Sequence, residues 1–207
     1  MSATDRQRQL LEAALSVFSQ KGFKGTTTKE IAVAAGVTEA VIFQHFPSKE
    51  ALYNAVLDLN TDAWKVGSDC MEIVGCMEHG DDEGLLRNII LRILGSYRSN
   101  TAFHRVVLFA ALEGHTQGLD HLHEQLGPAY YQFKEYIENR QREGVLIDGD
   151  PLDIVTAIVG IAHQYGLSTS VVHTKTRDIP DEIVAERLTK ILLNGIRKLP
   201  SVIKTNK

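Results

Sequence analysis

Cysteine, proline and tryptophan are scarce in this 207-residue chain, which holds two Cys, five Pro and one Trp. Cys70 and Cys76 cannot form a disulfide scaffold, and their spacing matches no common zinc site. They read as buried thiols of a reducing compartment, which points to the cytoplasm. A chain of this length buries about 70% of its unfolded surface and needs no cross-link. The opening MSATDRQRQL is polar, so no signal peptide is expected. Charge is missing from one stretch only: Ile154 to Thr174 has no Asp, Glu, Lys or Arg and is long enough to span a bilayer. Thr156, His163, Gln164, Ser168, Thr169, Ser170 and His173 make it too polar for lipid. The expectation is a helix buried in protein on most sides, with no membrane contact.

Net charge is −4, which argues against non-specific coating of nucleic acid. The charge is uneven. Residues 1–50 carry six basic and five acidic groups, whereas the remainder is acidic overall. A polyanion would therefore land on the N-terminal quarter.

Nearly every segment has helical periodicity, and no stretch alternates as a strand does. Thr4-Asp5-Arg6-Gln7 reads as a capping box ahead of Leu10, Leu11, Ala14, Leu15 and Phe18, and Gly22 ends that helix. Thr27-Thr28-Lys29-Glu30 is a second capping box, opening a short helix through Ile31, Ala32 and Ala35. Gly36 supplies a left-handed turn residue. Thr38 is placed to cap the next helix, with Val37 and Ile42 as its hydrophobic staple. Pro47 stops that helix and Ser48 caps a long one, whose apolar face is Leu52, Val56, Leu59, Ala63, Val66, Cys70, Ile73 and Met77, with a bend at Gly67. Further helices are expected near 83–97, 101–113 and 119–143. Asp150-Pro151 starts the charge-free helix. Pro180 opens a last one, whose apolar face is Ile183, Val184, Leu188, Ile191, Leu192 and Ile196.

The break and restart around Gly36 is the pattern of a helix-turn-helix. Ile31, Ala35, Ile42 and Phe46 would lock two short helices at a steep angle, leaving Glu39, Ala40, Phe43 and Gln44 outward. Such a helix fits the major groove, where Gln pairs with adenine and apolar groups meet thymine methyls. Thr27, Thr28, Lys29, Lys49 and the helix amides suit phosphates.

The stretch GTTTKEIAVAAGVTEAVIFQHFPSKEALYNAV resembles the DNA-binding region of the tetracycline-repressor (TetR) family of bacterial regulators. The likeness covers roughly the first 60 residues; beyond them only the helical architecture agrees. It implies an all-α fold, with an N-terminal three-helix DNA-binding domain at 1–50 followed by a ligand-binding and dimerisation domain at 51–207. The helix from Ser48 would link them. It also implies a cytoplasmic homodimer on a palindromic double-stranded DNA operator, with a small-molecule effector bound in the core. By position, Thr27, Thr28, Lys29, Thr38, Glu39, Ala40, Val41, Phe43, Gln44, His45 and Lys49 are the DNA-contact candidates. Phe43 departs from the family's usual Tyr, so a hydroxyl that commonly reaches a phosphate is missing here.

Polar and aromatic side chains within core-like helices mark an effector cavity: Trp64, Phe103, His104, Tyr130, Phe133 and His163. The effector is expected to be largely apolar with a few polar groups. His115, His121, His123 and Glu124 sit in GHTQGLDHLHEQLG, which reads as an inter-helix connection. His-x-His cannot share a helix face, so neither metal nor cofactor is expected. Dimerisation is expected through 151–174 and 180–198, where Ala157, Gly160 and Gly166 would permit close helix approach. No nucleophile motif or phosphate loop is present, and no enzyme is expected. The competing reading is a helical small-molecule-binding or catalytic protein whose helix-turn-helix is a structural corner.

Overall fold

The structure, a computed structural model, describes residues 3–61, 71–174 and 179–197. Ten α-helices run through them: α1 (Ala3–Lys21), α2 (Thr28–Ala34), α3 (Glu39–His45), α4 (Lys49–Thr61), α5 (Met71–His79), α6 (Asp82–Ser99), α7 (Thr101–Glu113), α8 (Thr116–Arg142), α9 (Pro151–Gly166) and α10 (Asp181–Ile196). A π-helical turn, Leu167–Val171, extends α9. Among the described residues the extended pairing is a lone bridge between Leu146 and Arg197.

Two apolar clusters organise the chain. The first joins Leu10, Ala14 and Phe18 of α1 to Ile31, Ile42 and Phe46, then to Leu52, Tyr53 and Val56 of α4. It continues into Phe103, Val106 and Ala110 of α7 and Leu122 of α8. The N-terminal helices therefore do not close a core of their own; α7 and α8 complete it. The second cluster is built on α6, whose Leu85, Leu86, Ile89, Ile90, Ile93, Leu94 and Tyr97 recur at helical spacing. They pack on Ile137 of α8, on Ile154, Val155 and Ile158 of α9, and on Val184 and Leu193 of α10. A buried strut pins α6 to the end of α8. Arg140 donates from Nε and Nη2 to the two carboxylate oxygens of Asp82, each at 2.8 Å, and Tyr136 Oη donates to Asp82 Oδ1 at 2.6 Å. The paired, doubly hydrogen-bonded geometry offsets the desolvation of both charges.

Several boundaries differ from expectation. The first helix begins at Ala3, so Thr4 lies inside its first turn and is not its cap. α4 is described to Thr61, and Ala63, Val66, Gly67 and Cys70 lie outside the described residues. Within α4 the inward face is Leu52, Tyr53, Val56, Leu57 and Thr61, which rotates Leu59 outward to 47% exposure. Cys76 is only half-buried. α8 starts at Thr116, so His121 and His123 are helical and do not belong to a connection.

The charge-free helix is also less enclosed than expected. Ile154, Val155, Ile158, Ala162 and Gly166 face the subunit core, while Thr156, Ala157, Gly160 and Gln164 are exposed. Gly166 serves the subunit itself: a Cβ there would lie 2.4 Å from the Tyr97 ring. On α10, Ile183 and Ile191 face outward, the latter 63% exposed, and Ala185, Thr189 and Leu193 share the inner face with Val184 and Ile196.

Candidate functional site

The helix-turn-helix is assembled by local bonds. Thr27 caps α2: its Oγ1 accepts from Glu30 N at 3.2 Å, and its own N–H donates to Glu30 Oε2 at 2.9 Å. Lys21 reaches the same carboxylate, and with the cap bonds it holds the Glu30 carboxyl down to about 2. Gln9 Nε2 donates to Ala35 O at 2.8 Å, fastening α1 to the end of α2. Gly36 turns the chain at φ +65°, a value L-residues with a Cβ rarely take. Thr38 occupies the cap position of α3 without a side-chain cap bond, contrary to expectation. Ile42 is sealed against α2, and the opposite side of α3 is open.

That open side carries Glu39, Ala40, Phe43 and Gln44, with Phe43 48% exposed; Val41 and His45 are half-buried at its edges. Lys29 is exposed on α2 and Thr38 beside the turn. Two contact candidates are turned onto the protein. Thr28 Oγ1 donates to Glu39 Oε1, and Thr27 Oγ1 donates to Glu30 Oε2 at 3.0 Å. Lys49, a further contact candidate, is also turned inward. Its ammonium donates to Phe23 O and Thr26 O, both at 2.9 Å, and lies 4.2 Å from the Phe23 ring centroid. It braces the loop ahead of α2 and is half-buried there.

Contacts that sequence reasoning missed tie this unit to α7 and α8. Glu113, at the end of α7, accepts from the N–H groups of Phe23 and Lys24 at 3.0 and 3.1 Å, and Lys24 Nζ donates to Glu113 O at 2.6 Å. Gly22, at φ +71°, leaves the space that the Glu113 carboxylate fills. Arg105 Nε donates to Ser19 O at 2.8 Å. His115 stacks on Phe23 at 4.1 Å between centroids, with Nε2 3.1 Å from Glu50 Oε2, and His121 Nε2 lies 2.7 Å from Asp58 Oδ1. These histidines join α8 to α4.

The other end of α7 walls a cavity of about 200 Å³. Phe103, His104, Tyr130, Phe133 and His163 all line it; Trp64 lies outside the described residues. Thr61, Arg92 and Gln132 line it too and were not expected. Arg92 had a readable signal, a charge within the apolar ILRIL segment of α6. The remaining wall is aliphatic, including Ile73, Met77, Ile89, Ile93 and Val159.

His104 is stacked face to face on Tyr97, with centroids 3.5 Å apart. Burial, then repulsion from His163, lowers its pKa to about 4, and burial lowers that of His163. Both imidazoles are thus held neutral, and protonation opposes folding. Between pH 6.5 and 4 the unfolded chain binds more protons than the folded one, so stability falls as pH is lowered through that window. The loss expected from His104 is about 2–3 kcal/mol. Chemical denaturation at pH 7 and pH 4.5 should show it, and His104→Phe, which keeps a ring against Tyr97, should flatten that slope.

Residues 10–56 match the pattern of "Bacterial regulatory proteins, tetR family". The chain is 25% identical to YvkB of Bacillus subtilis, an uncharacterized HTH-type transcriptional regulator, over 91% of this chain and 96% of that protein. The N-terminal helices carry the tetR-family pattern. The chain is a ligand-responsive, DNA-binding transcriptional regulator. Over 59 residues the chain is 49% identical to the HTH-type transcriptional regulator RutR of Escherichia coli K12, a match covering 28% of each protein. A HlyIIR mutant carrying a GSSGSSG linker shares the fold at TM-score 0.71 and 17% identity, covering 97% of this chain and all of that one. The fatty acid degradation regulator FadR of Bacillus halodurans shares it at TM-score 0.66 and 17% identity, over 93% and 97% of the two chains.

Proposed function

We propose that this tetR-family regulator is a cytoplasmic homodimeric repressor, released from a palindromic operator by a small, largely apolar molecule. Residues 1–50 would read the operator; residues 51–207 would bind the effector and dimerise. The observation that carries this reading is that one helix, α7, serves both places. Phe103, His104 and Val107 line the cavity, and Glu113 holds Phe23 and Lys24 ahead of α2. A molecule that prefers a shifted α7 thereby shifts the helix-turn-helix, and its differential affinity for the two arrangements weakens operator binding by the same factor.

The dimer seam is proposed on the outward faces of α9 and α10, through 151–174 and 180–198. Thr156, Ala157 and Gly160, and likewise Ile183 and Ile191, are exposed among the described residues. Four helices, two from each protomer, would bury them.

Within the reader, Gln44 is the proposed base-reading residue. Its side chain stands on the open face of α3, and the amide can pair with adenine N6 and N7. Selecting bound sites from random DNA identifies the operator. Gln44→Ala should then relax preference at one position of each half-site, costing about 1–3 kcal/mol against the best sequence. A panel of single-base operator variants checks it. A uniform loss on every operator variant would remove Gln44 as a base reader, and failure to select any sequence would favour the structural-corner reading.

A further inference from the structure

Two imidazoles on the cavity wall have their proton positions set by their neighbours. Ser96 Oγ donates to Ile93 O at 2.7 Å, so toward His104 Nε2, 3.0 Å away, it acts as acceptor. His104 therefore carries its proton on Nε2 and has Nδ1 as its acceptor nitrogen. Tyr97 Oη lies 3.2 Å from His163 Nδ1. Burial raises the Tyr97 pKa, so the phenol keeps its proton, and that proton needs an acceptor. His163 Nδ1 accepts it, which leaves Nε2–H as a donor.

The two rings stand 6.4 Å apart between centroids, His104 stacked on Tyr97 and His163 edge-on to it. Tyr97 is fixed in turn against the backbone of Gly166, where no Cβ intervenes. Both rings line the cavity, among apolar side chains that include Ile89, Ile93 and Phe133.

We propose that the effector is a neutral amphiphile whose hydroxyl or primary amide is bridged between His104 Nδ1 and His163 Nε2, with its apolar body filling the rest of the cavity. This rests on the reading of the cavity as the effector site. A hydroxyl or amide can donate to one ring and accept from the other. A carboxylate would bring its negative charge against the His104 lone pair and lose its hydration there. Arg92, on the same wall, already has a partner.

Titration of the full chain at pH 7.5 with 1-decanol, decanamide, decanoate and decyl methyl ether tests this, with operator binding measured in parallel. The alcohol and the amide should bind about tenfold or more tighter than decanoate and the ether, because only they satisfy both rings. His104→Leu should erase that preference. Long-range 1H–15N spectra of the wild-type chain read the tautomers with no substitution: Nε2–H on both rings supports the assignment, and Nδ1–H on either overturns it. Decanoate binding as tightly as decanol overturns the proposal while leaving the cavity reading intact. No binding by any of the four also overturns it, and operator binding by the same sample shows the DNA reader still stands. Decanol bound with the stated preference but without effect on operator affinity supports the pairing and counts against the effector reading instead.

Discussion

Gly160→Arg is expected to yield a folded monomer that no longer holds its operator. In the subunit a Cβ at Gly160 meets nothing within 4 Å, so the substitution costs the isolated fold little. In the proposed four-helix seam the same position faces a partner helix, and a guanidinium buried there has no counter-charge. Loss of the dimer separates the two recognition helices. Each half-site is then bound alone, and operator affinity should drop by about 10²–10⁴-fold. Sedimentation reads the mass, thermal melting confirms that the subunit is folded, and anisotropy on the selected operator reads the affinity. A variant that stays dimeric and binds normally places the seam elsewhere.

The parts of this molecule that were legible in its sequence are those whose partners are close along the chain. The Thr27–Glu30 capping box, the turn at Gly36 and the inward set Ile31, Ala35, Ile42 and Phe46 lie within one short stretch, and the structure has all of them. Polar groups in apolar helices also carried information, and His104 and His163 proved to share one wall. What could not be read depends on long-range packing. Glu113 and Phe23 are 90 residues apart, and His115 and Glu50 are 65 apart, so no pattern joins them.

Glycine misled for the same reason. In GHTQGLDHLHEQLG, Gly118 resembles a break, yet it is inside α8, and a Cβ there would lie 2.7 Å from the Tyr53 ring. The glycine is there for packing. Amphipathic faces were ambiguous in another way: Ile183 and Ile191 have the spacing of a core stripe, but the described residues of one subunit leave them 41% and 63% exposed. A hydrophobic pattern reports that a face is to be covered and not by which chain.

Lys49 shows most directly how direction escapes the sequence, and Lys49→Ala is expected to act through folding more than through charge. A lysine opening the helix after a recognition helix suits a phosphate by position. In the structure its ammonium instead joins the carbonyls of Phe23 and Thr26 and lies over the Phe23 ring. Removing it leaves two carbonyls without their charged donor and frees the loop that sets the start of α2. Hydrogen bonds to a charged group contribute about 1.5–3 kcal/mol each, so a loss of about 2–4 kcal/mol is expected for the half-buried pair. Operator affinity should fall for all sequences alike as the helix-turn-helix loosens, while the salt dependence of the remaining binding stays nearly unchanged. Denaturant melts and operator titrations at several salt concentrations separate the two roles. A variant with unaltered stability, whose salt slope drops by about one phosphate per subunit, would return Lys49 to the DNA backbone and limit its inward bonds to the DNA-free protein.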